Sequence, residues 1–188
     1  MFSVKKWVLF TFLGWLLGIV LILFLSGFLD SIGIEGLQFY VGLGVSAGVG
    51  FMQWLVLRKA MPITLKWLWY SILGVATPFL LFDLISMYSE YSLKQFYIPV
   101  SVLLGGIAIS VLQAKLLKPF VRDAQQWIWL SFSAWALSAL AVMAIEYTKQ
   151  VSSNNLVLFF LNLTLMLIGG VILGAFTGSF LKKNVQPS

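Results

Sequence analysis

Trp7-Val8-Leu9-Phe10-Thr11, Trp67-Leu68-Trp69-Tyr70-Ser71 and Trp127-Ile128-Trp129-Leu130-Ser131 are three versions of one pentapeptide, set 60 residues apart. Each opens on tryptophan and places a hydroxyl four residues on. A small residue follows three positions later: Gly14, Gly74 and Ala134. A fixed period defines the structural unit before any local motif does. Each copy opens an apolar stretch, and each stretch is answered by a second one rich in glycine. The unit is a pair of membrane-spanning helices, used three times.

The second helices align on a terminal basic residue: Arg58, Lys118 and Lys182. Five residues earlier stand Gln53, Gln113 and Thr177, and three before those Gly50, Ser110 and Gly174. Further back come Ser46, Gly106 and Gly170, preceded by Val45, Gly105 and Gly169. The third unit carries four extra residues, placed in its loop around 152–155. The hairpins cover about 5–60, 61–120 and 121–185 of a single membrane domain spanning 1–188.

Composition agrees. The chain is 61% hydrophobic and 10% charged, the balance of an integral membrane protein. Six segments qualify as spans: about 7–28, 37–58, 64–86, 96–118, 126–147 and 155–181. Each reaches the roughly 20 residues a helix needs to cross about 30 Å of hydrocarbon. Backbone groups in lipid must bond internally, so helices are the reading of such runs. The expected fold is all-α: six transmembrane helices, as three hairpins in a pseudo-three-fold arrangement. The first segment follows Lys5 and Lys6 but is too long for a signal-peptide core. No small-x-small cleavage site follows it, so it is expected to stay as a helix.

The charges sort by side. Ten of the twelve basic residues, Arg58, Lys118 and Lys182 among them, lie on the side of the termini. The other side carries Lys94 and Lys149 with Asp30, Glu35, Asp83, Glu90 and Glu146. The positive-inside rule then places both termini in the cytoplasm. Trp7, Trp67 and Trp127 are expected in the aromatic belt at that interface. The net charge of +6 is explained by these helix-end residues, and no nucleic-acid partner is expected. The lipid bilayer is.

Small residues at four-residue spacing let helix backbones approach. The glycine-rich even helices are therefore expected inside and the bulkier odd helices outside, facing lipid or partner subunits. Gln53 lies about 7.5 Å from the helix end at 1.5 Å per residue. An amide at that depth seeks a partner. Gln53, Gln113 and Thr177, flanked by Gly50, Ser110 and Gly174, are expected to form a polar ring of inter-helix bonds about the axis, or else a constriction in a pathway. Asp83, Asn162 and Thr164 are candidate pathway or ligand contacts, because intramembrane acids and amides are functional candidates by default. Asp83 is expected shallow enough to reach water. Pro78 is expected to kink its helix.

The chemistry that is missing also bounds function. There is no cysteine and no histidine, so disulfides, thiolate chemistry and histidine-bound metal, haem or chlorophyll are excluded. No nucleophile has an activating base, and no phosphate-binding glycine loop is present. An enzyme is not expected, nor a metal or other cofactor. Bound lipid, quinone or pigment would be held passively.

The run Gly50-Phe51-Met52-Gln53-Trp54-Leu55-Val56-Leu57-Arg58, a proline loop and then Trp67 resembles hairpins of uncharacterised multi-pass membrane proteins of cyanobacteria and some other bacteria. The resemblance covers the first two units and weakens in the third, where Thr177 replaces the glutamine and no tryptophan follows Lys182. It implies a bacterial inner or thylakoid-type membrane. In size the chain is similar to the substrate-binding components of vitamin-type uptake transporters, with Gly14-x-x-x-Gly18 in the place of their coupling face. Three hairpins about an axis also resemble mitochondrial carriers, but the Pro-x-acid-x-x-basic signature of that family is absent. Two functions are expected from these readings: an accessory or assembly subunit of a larger membrane complex, docking through helix faces, or a small-solute transporter or channel component.

Overall fold

The computed structural model describes residues 2–89, 93 and 96–185, apart from the side chain of Glu146. Glu90 and Lys94 lie outside the described residues. Six long helices make up the chain: α1 (Val4–Ser31), α2 (Phe39–Ala60), α3 (Lys66–Tyr88), α4 (Tyr97–Leu117), α5 (Ala124–Met143) and α6 (Asn155–Asn184). A 3-10 turn, Ala144–Gln150, continues from α5. All six are long and apolar enough to cross a bilayer, and the protein is an integral membrane protein.

Local signals set the helix ends. Ser3 Oγ accepts from Lys6 N at the start of α1. Asp123 caps α5 and Asn154 caps α6, each accepting two backbone N–H groups, the commonest way to satisfy the open donors of a first turn. Pro62 and Pro119 stand just beyond α2 and α4, where a residue that cannot donate ends a helix at least cost. Gly33 and Gly36 carry positive φ, 75° and 80°, in the link from α1 to α2.

The helices form one closed ring. Each packs on its neighbours in the chain, antiparallel, and α6 packs on α1. The expected division into inner even helices and outer odd helices is therefore corrected: all six share a single shell. The physical reason is the distribution of small residues. A methyl at Gly14 would stand 2.7 Å from Val49 Cα, one at Gly74 2.6 Å from Ile109 Cα, and one at Gly174 2.9 Å from Val8 Cα. Glycines on odd and even helices alike bring backbones together, so neither set can lie outside the other. Gly14 and Gly18 both face α2, and that face is closed to any coupling partner.

Two buried clusters fill the ring. On the side of the termini, Trp7, Leu57, Trp67, Leu117, Trp127 and Leu181 form one. Deeper, Trp15, Val49, Val75, Ile109, Trp135 and Leu173 belong to the other. A backbone clasp closes the terminus side: Arg122 N donates to Asn184 O at 3.1 Å, and Val121 bridges to Val185. Beyond Gly18 in α1 and before Gly169 in α6, no residue is buried.

Candidate functional site

The axis of the ring decides what can pass through it or rest in it. Nearest the termini, Trp7, Trp67 and Trp127 point inward from the three odd helices. Trp7 meets Trp67 edge-on with ring centroids 6.4 Å apart, Trp67 meets Trp127 at 6.0 Å, and Trp127 meets Phe180 at 5.6 Å. Edge-to-face pairs of this kind add about 0.5–1.5 kcal/mol each beyond their burial. The expectation that these three tryptophans sit in an interface belt is corrected, since each is at most 1% exposed. Six helices in a ring leave an axial gap that only large side chains fill, and indoles fill it. The belt residues are instead Trp69 and Trp129, 60% and 68% exposed. Each lies two positions along the same helix, and that step carries it to the outer face.

The polar layer comes next. Gln53 Nε2 donates to Thr11 Oγ1 at 3.3 Å and Gln113 Nε2 donates to Ser71 Oγ at 3.1 Å, each across 42 residues of chain. Thr177 Oγ1 donates to Leu173 O at 2.5 Å and accepts from Trp7 Nε1 at 2.8 Å. The two amides and Thr177 thus do not bond to one another about the axis. Each amide joins the two helices of its own hairpin, because the hydroxyl four residues after the tryptophan stands opposite it. Thr177 is too short for that reach, and Ser131 Oγ, the third hydroxyl, is buried with no partner. Gly50 and Gly174 give these bonds room: a methyl at Gly50 would stand 2.7 Å from Ser71 Cβ, and one at Gly174 3.2 Å from Thr11 Cβ. Ser110 in the same position folds its hydroxyl back onto Gly106 O at 2.6 Å.

Above this layer lies a cavity of about 80 Å³ lined by apolar side chains, with Trp15, Val75, Phe79, Val102, Trp135 and Met166 among them. Trp15 and Trp135 meet with ring centroids 6.3 Å apart and planes tilted by 32°. Val75 sits midway between them in sequence, 60 residues from each. The cavity borders the one place where the series Trp15, Val75, Trp135 lacks an indole. Sequence reasoning missed these residues, although the period that found Trp7, Trp67 and Trp127 marks them when read eight positions on.

The remaining candidates are not brought together. Asp83 is buried, 3% exposed, and does not reach water as expected. Its Oδ2 accepts from Gln38 N at 2.9 Å and Phe39 N at 2.7 Å, and its Oδ1 lies 2.5 Å from the Tyr97 hydroxyl. That hydroxyl also lies 2.8 Å from Phe79 O. Gln38, which begins α2, supplies no side-chain cap of its own. Asp83 of α3 supplies it, a carboxylate at the positive end of a helix, and Tyr97 ties α4 to the same point. Asn162 Oδ1 is enclosed without a partner. Thr164 is exposed and bonds back to Phe160 O at 2.8 Å. None of the three lines the cavity.

No family model matches the chain, and no curated protein or solved structure matches it.

The basic residues stay outside. Arg58 lies 4.6 Å over the Trp54 ring, a cation–π contact, and Lys118 and Lys182 are exposed. Among the described residues no group of three or more His, Cys, Asp or Glu side chains converges.

Proposed function

We propose that the protein is a non-enzymatic accessory or assembly subunit of a larger membrane complex. It is three copies of one hairpin about a pseudo-three-fold axis, in a bacterial inner or thylakoid-type membrane with both termini cytoplasmic. It docks through its helix faces and holds the end of one hydrocarbon chain from a membrane lipid in the cavity beside Val75. The observation that carries this reading is the closed axis: two tiers of aromatic side chains, Trp7–Trp67–Trp127 and Trp15–Trp135, with the apolar cavity above them. A solute path needs polar groups along it, and Asp83, Asn162 and Thr164 are all elsewhere. The cavity suits one chain end. Pockets for drug-sized solutes run to about 300–1,000 Å³, whereas dry apolar cavities take small apolar guests. The orientation rests on the basic residues of the terminus side.

Docking is supported by the terminal pair. α1 and α6 span about 42 and 45 Å at 1.5 Å per residue, against about 30 Å of hydrocarbon. In their far halves no residue is fully buried, and Leu23, Phe24, Phe28, Phe159 and Phe160 are exposed there. The transporter reading has less support, since Gly14 and Gly18 are occupied by α2 and the axis is filled.

Native mass spectrometry of gently extracted protein tests both parts. Co-migrating subunits are expected, with at least one retained lipid that the Val75→Trp variant loses. A bare protein, or a variant that keeps every lipid of the wild type, overturns the corresponding part. Solute flux through the purified protein in liposomes moves the assignment to a transporter.

A further inference from the structure

The terminus face carries cationic side chains that pair with no carboxylate among the described residues. Lys115 lies in the last turn of α4, Lys118 follows that helix, and Arg122 stands in the link to α5. All three are exposed. Among the described residues none of their side chains has a hydrogen-bond or ion-pair partner. They converge on one groove between α4 and α5, whose walls include Val111, Val121 and Ile128. Arg122 and Lys118 sit at the helix ends, while Val111 lies nearly two turns deeper on α4. The groove therefore runs from a cationic rim at the membrane surface to an apolar wall at hydrocarbon depth.

Two features make this a built groove and not scattered surface charge. The link that carries Arg122 is held in place, since Arg122 N donates to Asn184 O and Val121 bridges to Val185. The one carboxylate in the groove, Asp123, is already engaged: its Oδ1 accepts from Gln125 N at 3.1 Å and Gln126 N at 3.0 Å. Three cations thus face a groove whose single anion is turned to the start of α5.

We propose that this groove binds an anionic phospholipid, with its phosphate on Lys115, Lys118 and Arg122 and one acyl chain against Val111 and Ile128. A guanidinium beside two ammonium groups matches phosphate oxygens. Basic pockets between transmembrane helices on the cytoplasmic side take such headgroups. The apolar wall assigns the ligand to a lipid, because a free phosphate would leave it uncovered. The proposal does not rest on the accessory-subunit reading.

The test titrates full-length protein in detergent with phosphatidylglycerol, or with phosphatidylcholine of the same chains, and reads bound lipid by native mass spectrometry. Phosphatidylglycerol is expected to bind in preference. The Lys115→Gln, Lys118→Gln, Arg122→Gln triple variant is expected to weaken it by about fivefold for each cation removed. It leaves phosphatidylcholine unchanged and keeps the wild-type melting point. A control triple, Lys66→Gln, Lys182→Gln, Lys183→Gln, removes equal charge outside the groove and is expected to change the preference far less. Val111→Trp, which fills the apolar wall, is expected to weaken phosphatidylglycerol with all three cations in place. Equal binding of the two lipids by the wild type overturns the proposal. So do equal losses in the two triples, and so does complete displacement of phosphatidylglycerol by millimolar inorganic phosphate, which assigns the cations to a free anion.

Discussion

The two ends of the ring are built differently, although the same six helices run through both. On the terminus side the axis is packed with indoles, each amide joins the two helices of its own hairpin, and a backbone clasp joins the α4–α5 link to the end of α6. On the far side the axis holds a cavity, and no residue in the outer halves of α1 and α6 is fully buried. α2, α3 and α4 are held together there by one carboxylate, Asp83. In lipid no water drives apolar side chains together, so association depends on close packing and polar bonds. The end that has both is a rigid base, and the end that has little of either is where a lipid chain or a neighbouring subunit can be accommodated.

The sharpest way to break this contrast is to empty the base. Trp67→Ala removes the indole that touches both other tryptophans and is expected to cost about 3–5 kcal/mol. Trp69→Ala, two residues along and facing outward, should stay within about 0.5 kcal/mol. Unfolding in mixed micelles measures both, and similar losses would mean that the axis is not what stabilises the ring. A second pair compares the two ends of one helix. A side chain at Gly14 meets the backbone of Gly48 and Val49, while nothing lies within 4 Å at Gly27. Gly14→Val should cost about 3 kcal/mol through overpacking, with no measurable loss for Gly27→Val; a destabilised Gly27 variant would show that the far half of α1 is packed after all. The smallest effect belongs to the amides. Gln113→Leu should cost about 0.6 kcal/mol, the average for an inter-helix bond in a membrane protein, because Ser71 keeps its bond to Trp67 O. A loss of several kcal/mol would show Gln113 to be essential to the base.

Much of this was legible in the chain, and the limits have physical causes. The six spans follow from hydropathy, and the 60-residue spacing marks Trp7, Trp67 and Trp127, which meet at the axis. Direction does not follow. These helices are apolar around their whole circumference, so no polar face says which side is turned inward. Trp67 and Trp69 are alike to any hydropathy scale, yet one is buried and the other faces out. Glycine content suggests closeness without naming the partner, hence the mistaken inner and outer sets. Asp83 was misplaced because its ligands are the backbone N–H groups of Gln38 and Phe39, 45 and 44 residues away. Sequence depth is a poor guide when another helix begins at the same level.

The closure of α6 on α1 has a consequence for synthesis. The bond from Trp7 to Thr177 spans 170 residues, nearly the whole chain. The helices enter the membrane in order, and domains built during translation assemble from the N-terminal end. Until the last helix arrives, the assembly is an open arc. Its first helix exposes Trp7, Thr11 and Trp15 along one edge, with no glycine face of α6 to receive them. A nascent chain halted before α6 would carry that unsealed edge, a natural handle for an insertase or membrane chaperone.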